Sequence, residues 1–269
     1  MLLNKLLDDH DHISLIARLS NVQHRWHKET LLFQLNELQW QKGQTILLSG
    51  DNGAGKSTLM RLMAGLEPLQ QGFIQFPVLQ KDRFSLPWRT QKPQRGQCCY
   101  LHQSPYLFAG TVLNNLLFVI KSLPKNKREL AIQRLPTGLE LAGLTALQHQ
   151  PANTLSGGER QRIAALRAWL LQPKVLLLDE PTANLDQDSI HLITALVVDL
   201  IQQNSAVMIS SHQHTSLTDC CNAHWMIKEG TVYAANSTTG TTKLTALQTS
   251  NVNKLSAVVS QPHQMDVAL

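Results

Sequence analysis

From about Ile13 the chain settles into short apolar runs separated by polar turns. TILLS (45–49), VLLLD (175–179) and AVMISSH (206–212) are nearly unbroken apolar stretches, each leading into polar or charged residues. Such runs fit strands buried on both faces of a parallel sheet. STLMRLMAGL (57–66) instead spaces Leu59, Leu62, Met63 and Leu66 at helical intervals. HLITALVVDLIQQ (191–203) reads as a helix between two of the strands. Strand, helix, strand in this order predicts a parallel sheet with right-handed crossovers.

Between Ser104 and Asn153 the strand pattern is lost. VLNNLLFVIKSL, KRELAIQRL and GLELAGLTAL read as helices divided by Pro124, Pro136 and Gly138, an insertion into the α/β core. After Gly230 the chain becomes rich in Thr, Ser, Asn and Gln and loses its periodicity. Residues 237–269 are expected to form a loosely packed polar tail, and residues 1–12 a short N-terminal extension.

Composition narrows the function. A chain of 269 residues with 43% apolar content can bury one sizeable core with a subdomain, or at most two small domains. A net charge of +5 would suit nucleic acid or an anionic membrane surface, but Lys and Arg are scattered, with only small groups such as KNKRE (125–129). No nucleic-acid partner is expected from that distribution. The adjacent pairs Cys98-Cys99 and Cys220-Cys221 match no zinc or disulfide framework and read as reduced thiols of a cytosolic protein. No stretch approaches the roughly 18–20 apolar residues of a membrane span. MLLNKLLDDHDH turns acidic too soon for a secretory signal, so any membrane role must come through a partner.

GDNGAGKST (50–58) carries the first explicit chemistry. Gly50, Gly55, Lys56 and Ser57 fit the phosphate-loop spacing, between a strand and a helix as the pattern requires. Glycines let backbone N–H groups converge on phosphate oxygens, and the helix N-terminus adds favourable partial charge. Lys56 would neutralise the β- and γ-phosphates and Ser57 would give its hydroxyl to Mg²⁺, while Asp51, Asn52, Gly53, Ala54 and Thr58 complete the cradle. VLLLDEP then ends a strand with Asp179 and Glu180, on the sheet edge where parallel folds bind ligands. Asp179 suits Mg²⁺ coordination, and Glu180 is placed to take a proton from an attacking water. Gln103 and His212 leave strands on the same edge and gain weight only from that placement.

LSGGERQR (155–162) is a second glycine-rich helix start, without a lysine. Ser156, Gly157, Gly158 and Glu159 have the form of a capping box, and Ile163, Leu166 and Leu170 give the helix an apolar face. Two glycines in the first turn cost roughly 1 kcal/mol each relative to Ala. That cost points to something approaching the backbone closely, either another phosphate site or the same kind of site on another molecule. A well-capped structural helix is the plainer alternative.

GDNGAGKST, LSGGERQR, VLLLDEP, the NLD of TANLD (184–186) and SSH (210–212) occur in this order over roughly residues 14–233. Together they resemble the nucleotide-binding subunit of ATP-binding cassette (ABC) transporters. The resemblance implies an α/β P-loop NTPase with a mostly parallel core sheet, an N-terminal antiparallel β portion and an inserted α-helical subdomain. The cassette would occupy 13–236, with the helical subdomain at about 104–172. It implies ATP and Mg²⁺ as cofactors, Gln103 as a metal-sensing Q-loop residue and His212 as a switch histidine. By the same resemblance, Ser156 and Gly158 complete the active site of a second ATPase subunit, Asp186 communicates across that interface, and Trp26 stacks on adenine. Departures are small: Asp51 stands where Pro or Ser is common, TANLD replaces TSALD, and SSH stands for TH.

The function implied is ATP hydrolysis driving solute transport through separate transmembrane permease subunits, from the cytoplasmic face of the membrane. HQSPYLFAGTVLNNL (102–116) resembles the Q-loop region of tungstate and related oxyanion importers, which would add a substrate-binding protein. The alternatives are a cassette for another solute, or a soluble ABC-type ATPase of DNA repair or translation. The long heptad stretches of chromosome-type ATPases and the second cassette of translation factors are both missing from the sequence.

Overall fold

The computed structural model describes residues 15–26, 30–79 and 97–235. The expected N-terminal extension and polar tail lie outside the described residues. The described strands are β1 (Leu15–Trp26), β2 (Thr30–Gln41), β3 (Ile46–Gly50), β4 (Gln71–Gln75), β5 (Cys98–Leu101), β6 (Val175–Asp179), β7 (Ala206–Ser210), β8 (Ala223–Lys228) and β9 (Thr231–Ala235). The helices are α1 (Lys56–Met63), α2 (Val112–Ser122), α3 (Lys125–Leu141), α4 (Gly157–Leu171) and α5 (Gln187–Gln202).

The strands form one sheet in the order β4-β1-β2-β9-β8-β3-β7-β6-β5. β8, β3, β7, β6 and β5 run parallel, whereas β4, β1 and β2 pair antiparallel. The two parts join through β9, which is antiparallel to β8 and meets β2 at the single pair Gln34–Thr231.

β6 and β7 show why their sequences lack alternation. Val175, Leu177, Ala206 and Met208 point into a core with α1 and the antiparallel strands. Leu176, Leu178, Val207 and Ile209 point the other way, into a core with α2 to α5. Side chains alternate across a strand, so a strand covered on both faces must be apolar throughout.

The structure corrects two readings of the sequence. α3 runs from Lys125 to Leu141 through Pro136 and Gly138 as one helix. An interior proline costs about 3 kcal/mol, but here it sits on the exposed side while Ala131, Leu135 and Leu139 bury on the other. Gly138 is a packing position rather than a breaker: a Cβ there would lie 2.7 Å from Leu166 and 2.8 Å from Trp169. α1 stops at Met63, so Leu66, which fits the helical spacing, falls outside it and is 61% exposed.

Candidate functional site

The stretch Gly50–Thr58 turns from the end of β3 into α1. Gly55, the N-cap of α1, takes the left-handed conformation at φ 105°. A Cβ on it would lie 2.7 Å from the Phe33 ring, so both its angle and its packing require glycine. Asp51, Asn52 and Gly53 are exposed, Ala54, Gly55 and Ser57 half-buried, and Lys56 and Thr58 buried. Lys56 Nζ donates to the carbonyls of Gly50 (2.8 Å) and Asp51 (3.1 Å) and lies 2.6 Å from His212 Nε2. Burial pulls the Lys56 pKa below its ordinary value, against the opposing charges of Glu180, Asp179 and Asp51.

Asp179 ends β6 and is buried. Its Oδ1 accepts from Ser210 Oγ and its Oδ2 from Tyr100 OH, both at 2.7 Å. Glu180 follows at φ 45°, a left-handed conformation that costs a non-glycine residue about 1–3 kcal/mol. Ser210 holds it there, because the Glu180 N–H donates to the Ser210 carbonyl (3.2 Å) and hydroxyl (3.0 Å). The Glu180 carboxylate then meets His212 Nε2 at 3.2 Å and accepts from Gln103 Nε2 at 3.4 Å. Gln103, Glu180, His212 and Lys56 thus form one continuous line of contacts.

An open cleft of about 520 Å³ lies over this loop, lined on one side by Trp26, Thr30 and Leu32 and on the other by Asn52, Gly53, Ser57, Arg61 and Glu180. Trp26 is 55% exposed there, whereas Trp40 is fully buried. Thr30, Leu32 and Arg61 were not legible as site residues, because only the approach of β2 to α1 brings them to the cleft.

No group of three or more His, Cys, Asp or Glu side chains is placed to hold a metal among the described residues. The oxygen donors at hand, the Ser57 hydroxyl and the Asp179 carboxylate, are few and hard. That set fits Mg²⁺, which keeps several waters and takes phosphate oxygens as its remaining partners.

The second glycine loop forms a complete capping box. Ser156 Oγ accepts from the Glu159 N–H at 3.2 Å, and Glu159 Oε2 accepts from the Ser156 N–H at 2.7 Å. The hydrogen bond from the Ser156 backbone holds the Glu159 carboxyl below its ordinary range. Its two glycines differ. Gly158 is buried, and a Cβ there would lie 2.6 Å from Ser189 Oγ, whereas a Cβ on Gly157 would meet nothing within 4 Å. Asp186 is the N-cap of α5, accepting from the Ser189 N–H (2.8 Å) and hydroxyl (3.0 Å). The starts of α4 and α5 therefore pack together through Gly158 and Ser189. Arg162, further along α4, donates to the carbonyls of Ala142 (2.9 Å) and Gly143 (3.0 Å) and so closes the end of α3.

The four cysteines are free thiols. Burial pushes Cys98 up to about 12 and Cys99 and Cys220 to about 11, which leaves them unreactive at neutral pH. No helix among the described residues is long and apolar enough to cross a membrane.

The chain is similar to known proteins. The family model "ABC transporter" matches residues 34–183. The molybdenum import ATP-binding protein ModC of Hahella chejuensis is 34% identical over 81% of this chain and 61% of its own length. The lipopolysaccharide export system ATP-binding protein LptB of Acidithiobacillus ferridurans is 33% identical over 72% of this chain and 79% of its own. Among solved structures, cbiO1 from Clostridium perfringens, described as part of the ABC transporter complex cbiONQ, shares the fold. Its TM-score is 0.68 at 23% identity, covering 92% of this chain and 100% of that one. The chain spans only 42% and 61% of the lengths of two of its curated relatives. With a family model over more than half of its length and relatives named for both import and export, the chain belongs to the ABC transporter family.

Proposed function

We propose that the chain is an ATPase that binds MgATP in the cleft between Trp26 and the phosphate loop and hydrolyses it against a second ATPase subunit. The cycle powers solute movement through separate transmembrane subunits at the cytoplasmic face of the membrane. The observation that carries the reading is the contact line from Gln103 through Glu180 and His212 to Lys56, which places a carboxylate, an imidazole and an ammonium at one loop mouth.

In this reading Trp26 stacks on the base, and the backbone from Gly50 to Thr58 cradles the phosphates. Lys56 turns its ammonium onto phosphate oxygens, and Glu180 accepts a proton from the attacking water at a carboxylate oxygen. His212, within reach of both, steadies Glu180 and the terminal phosphate. Magnesium, held by Ser57 and Asp179 with Gln103 close by, would add charge neutralisation on the phosphates. Ser156 Oγ accepts from Glu159 and keeps its own proton, so it can donate to the partner subunit's nucleotide beside the open face of Gly157. Asp186, exposed at the start of α5, lies beside Gly158, with its Oδ2 3.4 Å from where a Cβ on that glycine would stand.

Tyr106 (76% exposed), Phe108 and Phe118 form a surface aromatic cluster just beyond Gln103, which suits the seat of a membrane partner. For cargo, the resemblance of residues 102–116 to oxyanion importers and the 34% identity to ModC support import of a tungstate-like oxyanion with a substrate-binding protein. LptB at 33% identity supports the opposite direction, so the test must separate them. The chain is purified with its membrane subunits, placed in liposomes, and assayed for ATP hydrolysis with tungstate or molybdate and a binding protein. Stimulation by the oxyanion fits the proposal. Stimulation by a lipid substrate instead overturns the cargo, and failure to associate with any membrane subunit overturns the transport role.

A further inference from the structure

A carboxylate at the end of a strand rotates freely about its last torsion unless its oxygens are tied, because that torsion is broad. Asp179 is tied on both sides. Ser210 on β7 holds Oδ1, and Tyr100 on β5 holds Oδ2, each at 2.7 Å. These are the two strands that flank β6. With one hydroxyl on each oxygen, each keeps a lone-pair direction for a cation or its water. Ser210 has a second task, since it also fixes the left-handed backbone of Glu180. Tyr100 acts on Asp179 alone among the two acids. The Tyr100 phenol is the donor in that hydrogen bond. β5 also ends two residues before Gln103, whose amide reaches Glu180.

We propose that Tyr100 is a positioning residue for the cation: by pinning Asp179 Oδ2 it sets how tightly the site holds the divalent metal that accompanies the nucleotide. β5 thereby becomes the element that links the Gln103 loop to metal affinity. The inference rests on the reading of Asp179 as the cation-facing carboxylate.

The test uses the full chain, Mn²⁺ as the probe and ADP as the nucleotide. Free Mn²⁺ is read by electron paramagnetic resonance, and ADP affinity is measured separately in EDTA. Tyr100→Phe keeps the ring and removes only the hydroxyl. Loss of an outer partner of a metal-facing group weakens metal binding about 10-fold or more. The expected result is that loss of Mn²⁺ affinity with ADP binding in EDTA unchanged. Unchanged Mn²⁺ affinity in Tyr100→Phe overturns the proposal. So does loss of ADP binding in EDTA, because the hydroxyl would then serve the fold rather than the cation. If the native chain itself shows no ADP-dependent Mn²⁺ binding, the reading of Asp179 fails instead, a distinguishable outcome.

Discussion

Gly157 and Gly158 are adjacent in sequence but answer to different constraints, and alanine substitution separates them. Gly158→Ala places a methyl 2.6 Å from Ser189 Oγ at the junction of α4 and α5. Alanine gains up to about 1 kcal/mol in helix propensity, while overpacking a closed site costs about 1–3 kcal/mol. The net expectation is a loss of about 1 kcal/mol, or a Tm lower by roughly 2–4 °C. Removing the obstructing hydroxyl should restore the variant, because the next contacts, Ser189 Cβ and Asp186 Oδ2, stand at 3.4 Å. Gly158→Ala combined with Ser189→Ala should therefore show a favourable coupling of about 0.5–1.5 kcal/mol in a double-mutant cycle. Gly157→Ala meets nothing within 4 Å among the described residues and should gain stability, by up to about 1 kcal/mol. Its ATP hydrolysis should nevertheless fall, by about 10²-fold if a partner's nucleotide must sit against that backbone. Urea unfolding with unchanged m-values reads the stabilities, and steady-state phosphate release reads turnover. A Gly158→Ala protein as stable as Gly157→Ala would refute the packing argument. Full turnover in Gly157→Ala would refute the close approach of a second subunit.

Three further outcomes follow from the site and its supports. Glu180→Gln should keep nucleotide binding and lose hydrolysis by about 10²–10⁴-fold, with ATP-dependent dimers persisting in sedimentation; near-normal hydrolysis would remove Glu180 as the base. Asp199→Ala strips the acceptor of the buried Trp169 indole N–H (2.6 Å) and of Arg134 (3.3 Å), costing about 2–4 kcal/mol and roughly 5–15 °C in Tm. Asp199→Asn, which keeps an acceptor, should lose less. Glu159 is held below its ordinary pKa of 4.5, so its stabilising share is complete above that value and is lost as pH falls through the lower folded-state value. The Tm difference between the native chain and Glu159→Gln should shrink over that acid window, and a difference independent of pH would deny the charged cap.

The elements that read correctly are those fixed locally. VLLLD is a strand because both faces are covered, and that requirement is written in every one of its residues. The phosphate loop and the capping box were legible for the same reason, since their spacing is their geometry. Pro136 misled because the gain from burying Leu135 and Leu139 against α4 is a tertiary quantity. The glycine pair at 157–158 signals a constraint, but sequence alone does not tell one inside the chain from one outside it. Gly158 answers to Ser189, thirty-one positions on. Asp186 was assigned by resemblance to communication across an interface, and the structure adds a local task as the N-cap of α5. Its signal was present, in Asp186 followed by Asp188 ahead of the apolar run. The hydroxyls of Tyr100 and Ser210 gave no signal, because only strand order brings them to Asp179.

The seam at β2 and β9 has a mechanical meaning. One ladder pair, with the Gln34 N–H on the Gly230 carbonyl at 2.8 Å, stitches the antiparallel flap to the parallel half of the sheet. The cleft straddles that line, with Trp26, Thr30 and Leu32 on the flap and the glycine loop on the other side. A nucleotide lying across it would act as a rivet, adding its binding free energy where the fabric is most thinly sewn. Occupancy would then be felt as stiffness: amide exchange along β2 and β9 should slow with ATP by more than it does along β6 and β7.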